Sequence, residues 1–155
     1  MNDLICARPK EDRLTVLVVD DSPDMQRYLR CLLEVEDYQV EVASNGREAV
    51  QRLRQGCSAD IVLLDVQMPG MDGLKTLRQL RQLQPKLKVI MCSGVDDPKT
   101  IEHAASLGAQ GYITKPVRHL YLSAALARCL KPEPPSPDQL RADSFIAIPS
   151  TTSVS

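Results

Sequence analysis

Aromatic and imidazole side chains are scarce in this chain: there is one Phe and there are two His among 155 residues. That leaves little room for a histidine-rich metal site or for an aromatic platform that stacks nucleic-acid bases. An excess of charge of either sign is also missing. Nineteen basic and twenty acidic residues leave a net charge of -1, so neither a nucleic-acid footprint nor an acidic tail is indicated. No apolar run approaches the roughly 18 residues of a membrane-spanning helix, and the Leu4–Ala7 patch is too short for a signal-peptide core. The five cysteines (Cys6, Cys31, Cys57, Cys92 and Cys129) are odd in number and widely spaced, without a C-x-x-C pair. A disulfide or zinc framework is therefore not expected, and a reducing cytosol is. The chain reads as a soluble cytoplasmic protein with no membrane insertion.

What the chain does contain is a regular alternation. Leu14–Val19 is a short β-branched run of the kind buried on both faces of a parallel sheet. Ser22-Pro23 follows as a helix cap with proline at the first helical position, and Met25, Leu29, Leu32 and Leu33 form a helical stripe. Strands are then expected at Gln39–Ala43, Asp60–Leu64, Leu87–Cys92 and Gln110–Thr114. Helices are expected at Arg47–Gln55, Leu74–Leu83, Pro98–Leu107 and Val117–Leu130, with Gly56, Pro85 and Gly108 as stops. The expected architecture is α/β: a doubly wound five-stranded parallel sheet with five helices. From Lys131 the composition shifts, with Pro132, Pro134, Pro135, Pro137 and Pro149 among the last 25 residues. The chain thus divides into an extension (1–12), one domain (13–130) and a Pro/Ser-rich tail or linker (131–155). Only Phe145–Ile148 interrupts the polar character of that tail, as a patch able to dock.

The apolar runs share a second property: each ends on a polar residue. They lead into Asp20-Asp21, Asp65, Ser93 and Lys115. Ligands of an open α/β sheet bind outside the carboxyl ends of its strands, so neighbouring runs would bring these side chains into one crevice. Adjacent acids repel unless a cation intervenes, and hard oxygen ligands suit Mg²⁺; an isolated Asp-Asp pair would equally cap the next helix. A strand-end carboxylate such as Asp65 can act as a nucleophile and form an acyl phosphate, with a metal and a lysine supplying charge neutralisation. Lys115 precedes Pro116, which holds it extended and leaves the bond open to either isomer. Ser93, followed by Gly94, offers a hydroxyl and an approachable backbone N–H to an anion. Taken singly, each of these residues has a plain reading as a cap, a turn former or a surface charge.

Jointly they resemble a family. The segments Val18-Val19-Asp20-Asp21-Ser22, Leu64-Asp65-Val66-Gln67-Met68-Pro69-Gly70-Met71-Asp72-Gly73, Ser93-Gly94, Gly108-Ala109 and Gly111-Tyr112-Ile113-Thr114-Lys115-Pro116 occur in order. In these segments the chain resembles the receiver domain of a two-component response regulator, similar to the single-domain chemotaxis regulators. The resemblance covers about residues 13–130 and implies the flavodoxin-like receiver fold. It implies Asp65 as phosphoacceptor, and Asp20, Asp21, Asp65 and the Gln67 backbone carbonyl as holders of Mg²⁺ (or Mn²⁺). It implies Lys115 and the backbone of Val66 and Gly94 as phosphoryl binders, with Ser93 and Tyr112 as the switch pair. A histidine kinase or phosphotransfer protein is the implied donor. The implied output is protein–protein contact through the fourth helix, last strand and last helix, a face expected to include His103, Tyr112, His119 and Tyr121. The chain would not be an enzyme with a separate substrate, would bind no nucleic acid directly, and would be a monomer or a weak phosphorylation-dependent dimer. Val95, two residues after Ser93, is apolar where the family positions water, which implies a slow loss of the phosphoryl group.

Competing readings fare worse. A haloacid-dehalogenase-type hydrolase needs a second acid two residues after its nucleophile, and Ser22 stands there after Asp20. A flavodoxin-like nucleotide binder needs a phosphate loop after the first strand, and none follows. Two variants of the main reading stay open: a receiver cut from a larger regulator whose output domain follows the linker, and a docking module that works without phosphorylation.

Overall fold

Val16–Val19 and Ile61–Leu64 are apolar at every position, so neither run has a face to give to water. The structure, a computed structural model describing residues 12–94 and 97–130, buries both completely in the middle of a sheet. The Leu4–Ala7 patch, Val95 and the tail with Phe145–Ile148 lie outside the described residues. The elements are β1 (Thr15–Val19), α1 (Pro23–Val35), β2 (Gln39–Ala43), α2 (Gly46–Arg54) and β3 (Ile61–Asp65), followed by α3 (Gly73–Leu83), β4 (Lys88–Ser93), α4 (Pro98–Ser106), β5 (Gly111–Thr114) and α5 (His119–Cys129). All strand pairs are parallel, in the order β2-β1-β3-β4-β5. The order reverses between β1 and β3, which opens a crevice at their carboxyl ends.

Alternation along each strand sorts the side chains into two layers. Leu17, Val19, Val62 and Leu64 pack with Ala49, Val50, Leu77, Leu80 and Ala104 from α2, α3 and α4. Val16, Val18, Ile61 and Leu63 pack on the other side with Leu29 and Leu33 of α1 and Leu122 and Leu126 of α5. The parallel sheet is therefore covered on both faces, which is how such sheets remain stable.

Boundaries differ from the sequence expectation by local capping. Helix α2 starts at Gly46 because Asn45 is its N-cap, its Oδ1 accepting from the Glu48 N–H at 2.7 Å. Glu48 reaches back to the Ser44 N–H at 2.8 Å, so both ends of the turn are satisfied. Helix α5 starts at His119 rather than Val117. The Val117 side chain is fully buried and its carbonyl accepts from the Tyr28 hydroxyl at 2.6 Å, while Arg118 takes the extended cap position. Strands β3 and β4 run on to include Asp65 and Ser93, since each still has a ladder partner, Cys92 and Thr114.

The α2–α3 contact depends on one absent side chain. A Cβ on Gly46 would run into the Thr76 hydroxyl and sit 3.1 Å from the Thr76 Cβ. Thr76 is held there because its hydroxyl donates to the Asp72 carbonyl at 2.9 Å. Gly46→Ala is expected to lower stability by about 1 kcal/mol in urea titrations. Adding Thr76→Ala should recover part of that loss. Additivity of the two changes would contradict the contact.

Candidate functional site

The carboxyl ends of β1, β3 and β5 deliver the charged side chains. Asp20 and Asp65 are 2% and 5% exposed, a burial that carboxylates avoid unless paired. Lys115 meets both: its Nζ lies 3.1 Å from Asp20 Oδ2 and 3.3 Å from Asp65 Oδ2. Asp21 is exposed at the mouth, and one carboxylate oxygen from each of Asp20, Asp21 and Asp65 falls within 4.8 Å of the others. Three carboxylates against one ammonium leave two negative charges, which a divalent cation would neutralise.

Neighbouring residues aim these groups. The free oxygen of Asp20, Oδ1, accepts from the Ser22 N–H at 2.9 Å. Its backbone carbonyl accepts from Gln26 Nε2 at 2.6 Å. Asp65 Oδ1 accepts from the Gln67 N–H at 3.1 Å. Burial pushes the Asp65 carboxyl above the ordinary carboxylate range; Lys115 opposes the rise and Asp20 adds to it. Burial also works against the Lys115 ammonium, but the Asp65 and Asp20 carboxylates together outweigh it and hold the amine above its ordinary value. Lys115 therefore stays charged, and its backbone is fixed by an N–H donated to the Ser93 carbonyl at 2.6 Å. The Lys115-Pro116 bond is cis, one of the two isomers the sequence left open. Thiol chemistry is absent from the neighbourhood, since burial pushes Cys92 up to about 12.

Of the residues singled out from the sequence, the structure brings Asp20, Asp21, Asp65 and Lys115 together directly. Ser93 is fully buried at the end of β4, one step beyond the partner of Asp65, and Gly94 follows it exposed. Three expectations are corrected. The Val66 N–H is not turned toward the crevice; it donates to the Cys92 carbonyl at 3.0 Å and closes the β3–β4 ladder. The N–H that faces the Asp65 carboxylate belongs to Gln67. Tyr112 is not part of a surface, because it is 0% exposed and packs in the core layer with Met91 and Ala104. His119 does not face α4: its Nε2 lies 2.6 Å from Glu36 Oε2 at the end of α1, and Ser123 donates to the same oxygen. His103 is exposed on α4 and Tyr121 half-buried on α5.

Two contributors escaped the sequence reading. Gln26 sits on the first turn of α1, six residues after Asp20, where folding back to a strand-end carbonyl is geometrically open. Gly73 was visible as part of a turn, but its role is steric. A Cβ there would strike the Asp65 carbonyl oxygen and approach Val66 Cα to 2.6 Å.

A family model described as the response regulator receiver domain matches residues 16–127. The chain belongs to the response regulator receiver family. The chemotaxis protein CheY of Listeria monocytogenes is 36% identical over 119 residues, 76% of this chain and 99% of that protein. The transcriptional regulatory protein ZraR of Escherichia coli is 34% identical over 119 residues, 77% of this chain but 27% of ZraR, so the chain spans about a quarter of that regulator. Among solved structures, the chemotaxis protein CheY4 of Vibrio cholerae superimposes with a TM-score of 0.72 at 28% identity, covering 76% of this chain and 99% of the other. CheY in the CheX-CheY-BeF3-Mg complex from Borrelia burgdorferi gives a TM-score of 0.67 at 30% identity, over 74% and 85% of the two chains. The fold is thus the flavodoxin-like receiver fold. Receivers are phosphorylation-switched domains that hold Mg²⁺ at an acidic pocket, and Asp20, Asp21 and Asp65 form such a group here. No helix among the described residues is long and apolar enough to cross a membrane.

Proposed function

We propose that Asp65 accepts a phosphoryl group from the phosphohistidine of a histidine kinase or phosphotransfer protein. The observation that carries this reading is the sharing of the Lys115 ammonium between Asp20 and Asp65, carboxylates delivered by two different strands. In the transfer an Asp65 carboxylate oxygen forms the new O–P bond as the P–N bond breaks, and the donor imidazole leaves with its electron pair and picks up a proton. In this reading Lys115 stabilises the charge on the transferred group, with the Gln67 and Gly94 N–H groups as further donors. Mg²⁺ (or Mn²⁺), held by Asp20, Asp21, Asp65 and the Gln67 carbonyl, supplies charge neutralisation when bound. Asp65 carries the group itself, so the domain has no separate substrate.

Ser93 and Tyr112 are assigned as the switch pair, reporting the state of Asp65 to the face built from α4, β5 and α5. With Tyr112 buried and His119 turned toward α1, that face offers His103 and Tyr121 to a downstream protein. We assign residues 13–130 to the receiver, 1–12 to an extension and 131–155 to a tail or linker, and expect a monomer or a weak phosphorylation-dependent dimer in the cytoplasm. The match to about a quarter of ZraR favours a second arrangement, in which this receiver controls a further domain beyond the linker.

The test uses a small phosphodonor. Acetyl phosphate with Mg²⁺ should produce a phosphorylated species on a phosphate-affinity gel, and beryllofluoride should change the amide spectrum. Asp65→Asn should show neither. Labelling that survives in Asp65→Asn would assign the phosphoryl group elsewhere, and no labelling of the unaltered protein would favour the phosphorylation-independent docking module.

A further inference from the structure

Charge is nearly balanced over the whole chain but not over its surface. Helices α2 and α3 carry Arg47, Arg52, Arg54, Lys75, Arg78 and Arg81 against Glu48 alone, in a protein of net charge -1. The rest of the molecule therefore holds the compensating acids. Two of the arginines have local work: Arg52 bridges Glu41 and Glu48, each at 3.3 Å, and Arg81 donates to the Leu87 carbonyl at 2.7 Å. Arg47 and Arg54 have no ionic or hydrogen-bonding partner among the described residues.

These two arginines line one groove. A hollow of about 500 Å³ runs between α2 and α3, lined by Arg47, Val50, Gln51, Arg54, Met71 and Gln79. Its lining combines apolar atoms of the nearly buried Val50 and the half-buried Met71 with the amides of Gln51 and Gln79 and the two guanidinium groups. Arg47 and Arg54 are two helical turns apart, roughly 10.5 Å along the axis. Two acids three residues apart on a segment extended as polyproline II, which has three residues per turn, project from the same side roughly 9 Å apart. The match is close, and the residues between such acids would lie over Val50 and Met71.

We propose that this groove is a second interaction surface, which binds an extended acidic segment of a partner protein whose two carboxylates flank apolar residues. The apolar lining from Val50 and Met71 separates this surface from a row of solvated arginines, which needs none. A nucleic acid fits less well, because no aromatic side chain lines the groove for base stacking. The groove lies between the helices over β1 and β3, away from the α4–β5–α5 face, so both surfaces can be occupied together.

The experiment is an amide NMR titration of the full chain with a blocked peptide in which two glutamates flank two leucines. Saturable shifts should centre on Gly46–Arg54 and on residues 71–79. A peptide with glutamine in place of glutamate should bind about tenfold more weakly, as should the R47E/R54E double variant, while Arg27→Glu on α1 should bind normally. Should the double variant fail to fold, the glutamine peptide still reads the charge requirement on the unaltered protein. Equal binding of the two peptides, shifts centred elsewhere, no saturation, or tighter binding of a short oligothymidylate would each overturn the proposal.

Discussion

Gly73→Ala is expected to destabilise the domain by about 3 kcal/mol and to lower its thermal midpoint by roughly 10 °C. Propensity alone points the other way, because alanine is better than glycine by about 1 kcal/mol inside a helix. Space decides the sign. The added Cβ would overlap the Asp65 carbonyl oxygen and stand 2.6 Å from Val66 Cα, and both are backbone atoms that cannot rotate aside. The strand end cannot retreat either, since the Val66 N–H is bonded to Cys92 and the Gly73 N–H to the Val66 carbonyl. Either α3 withdraws from the sheet or Asp65 moves. Stability and phosphoryl uptake should therefore fall together. Gly94→Ala is the control for stability, because its Cβ meets nothing within 4 Å and its φ is not positive. Urea and thermal unfolding check both variants, and an unchanged midpoint for Gly73→Ala would refute the close approach.

Asp65→Asn is expected to act in the opposite direction, raising stability at neutral pH by about 1–2 kcal/mol while abolishing phosphoryl uptake. Burial and the neighbouring Asp20 raise the folded-state pKa of Asp65 above that of the unfolded chain. For an acid shifted upward, the native state holds its proton at a pH where the unfolded state has released it. Stability is thus greatest below the unfolded value of about 4, falls as pH rises through the window up to the raised folded pKa, and stays lower above it. An amide removes that cost and still offers an oxygen to Lys115 and to the Gln67 N–H. The difference in unfolding free energy between the two proteins should therefore shrink as pH falls below that window. Mg²⁺ supplies the complementary reading: it should stabilise the unaltered protein by mass action and Asp65→Asn much less. A variant less stable than the parent at neutral pH, or a gap that widens in acid, would contradict the assignment of Asp65 as a buried charge held at a cost.

The elements were legible where a single physical signal governed them. Val16–Val19 and Ile61–Leu64 have no polar position, so only a doubly covered strand accommodates them, and that is where they lie. Ser22-Pro23 reads as a helix start because a side-chain acceptor and a fixed φ act within one turn, and Ser22 does cap α1. The errors fall where a residue has two available partners and only the fold chooses. Val66 has an N–H that serves either an anion or the β3–β4 ladder, and register gives it to Cys92. His119 stands on a helix between two neighbours, and the side facing Glu36 prevails. Tyr112 is an aromatic near a strand end, and its layer in the core decides that it is buried.

The acidic crevice divides in the same way. By itself the sequence determined that Asp20, Asp21, Asp65, Ser93 and Lys115 terminate apolar runs, because burial demands such runs and chemistry tolerates charge only at their ends. Only the tertiary structure decided that Lys115 sits between Asp20 and Asp65 at 3.1 and 3.3 Å, across 95 and 50 residues of chain. The same holds for the glycine against the Asp65 backbone and for the groove that Arg47 and Arg54 line together with Val50 and Met71. Local sequence sets periodicity and capping, which act over a few residues. Strand order and helix packing set which side chains meet, and that information resides in the whole chain at once.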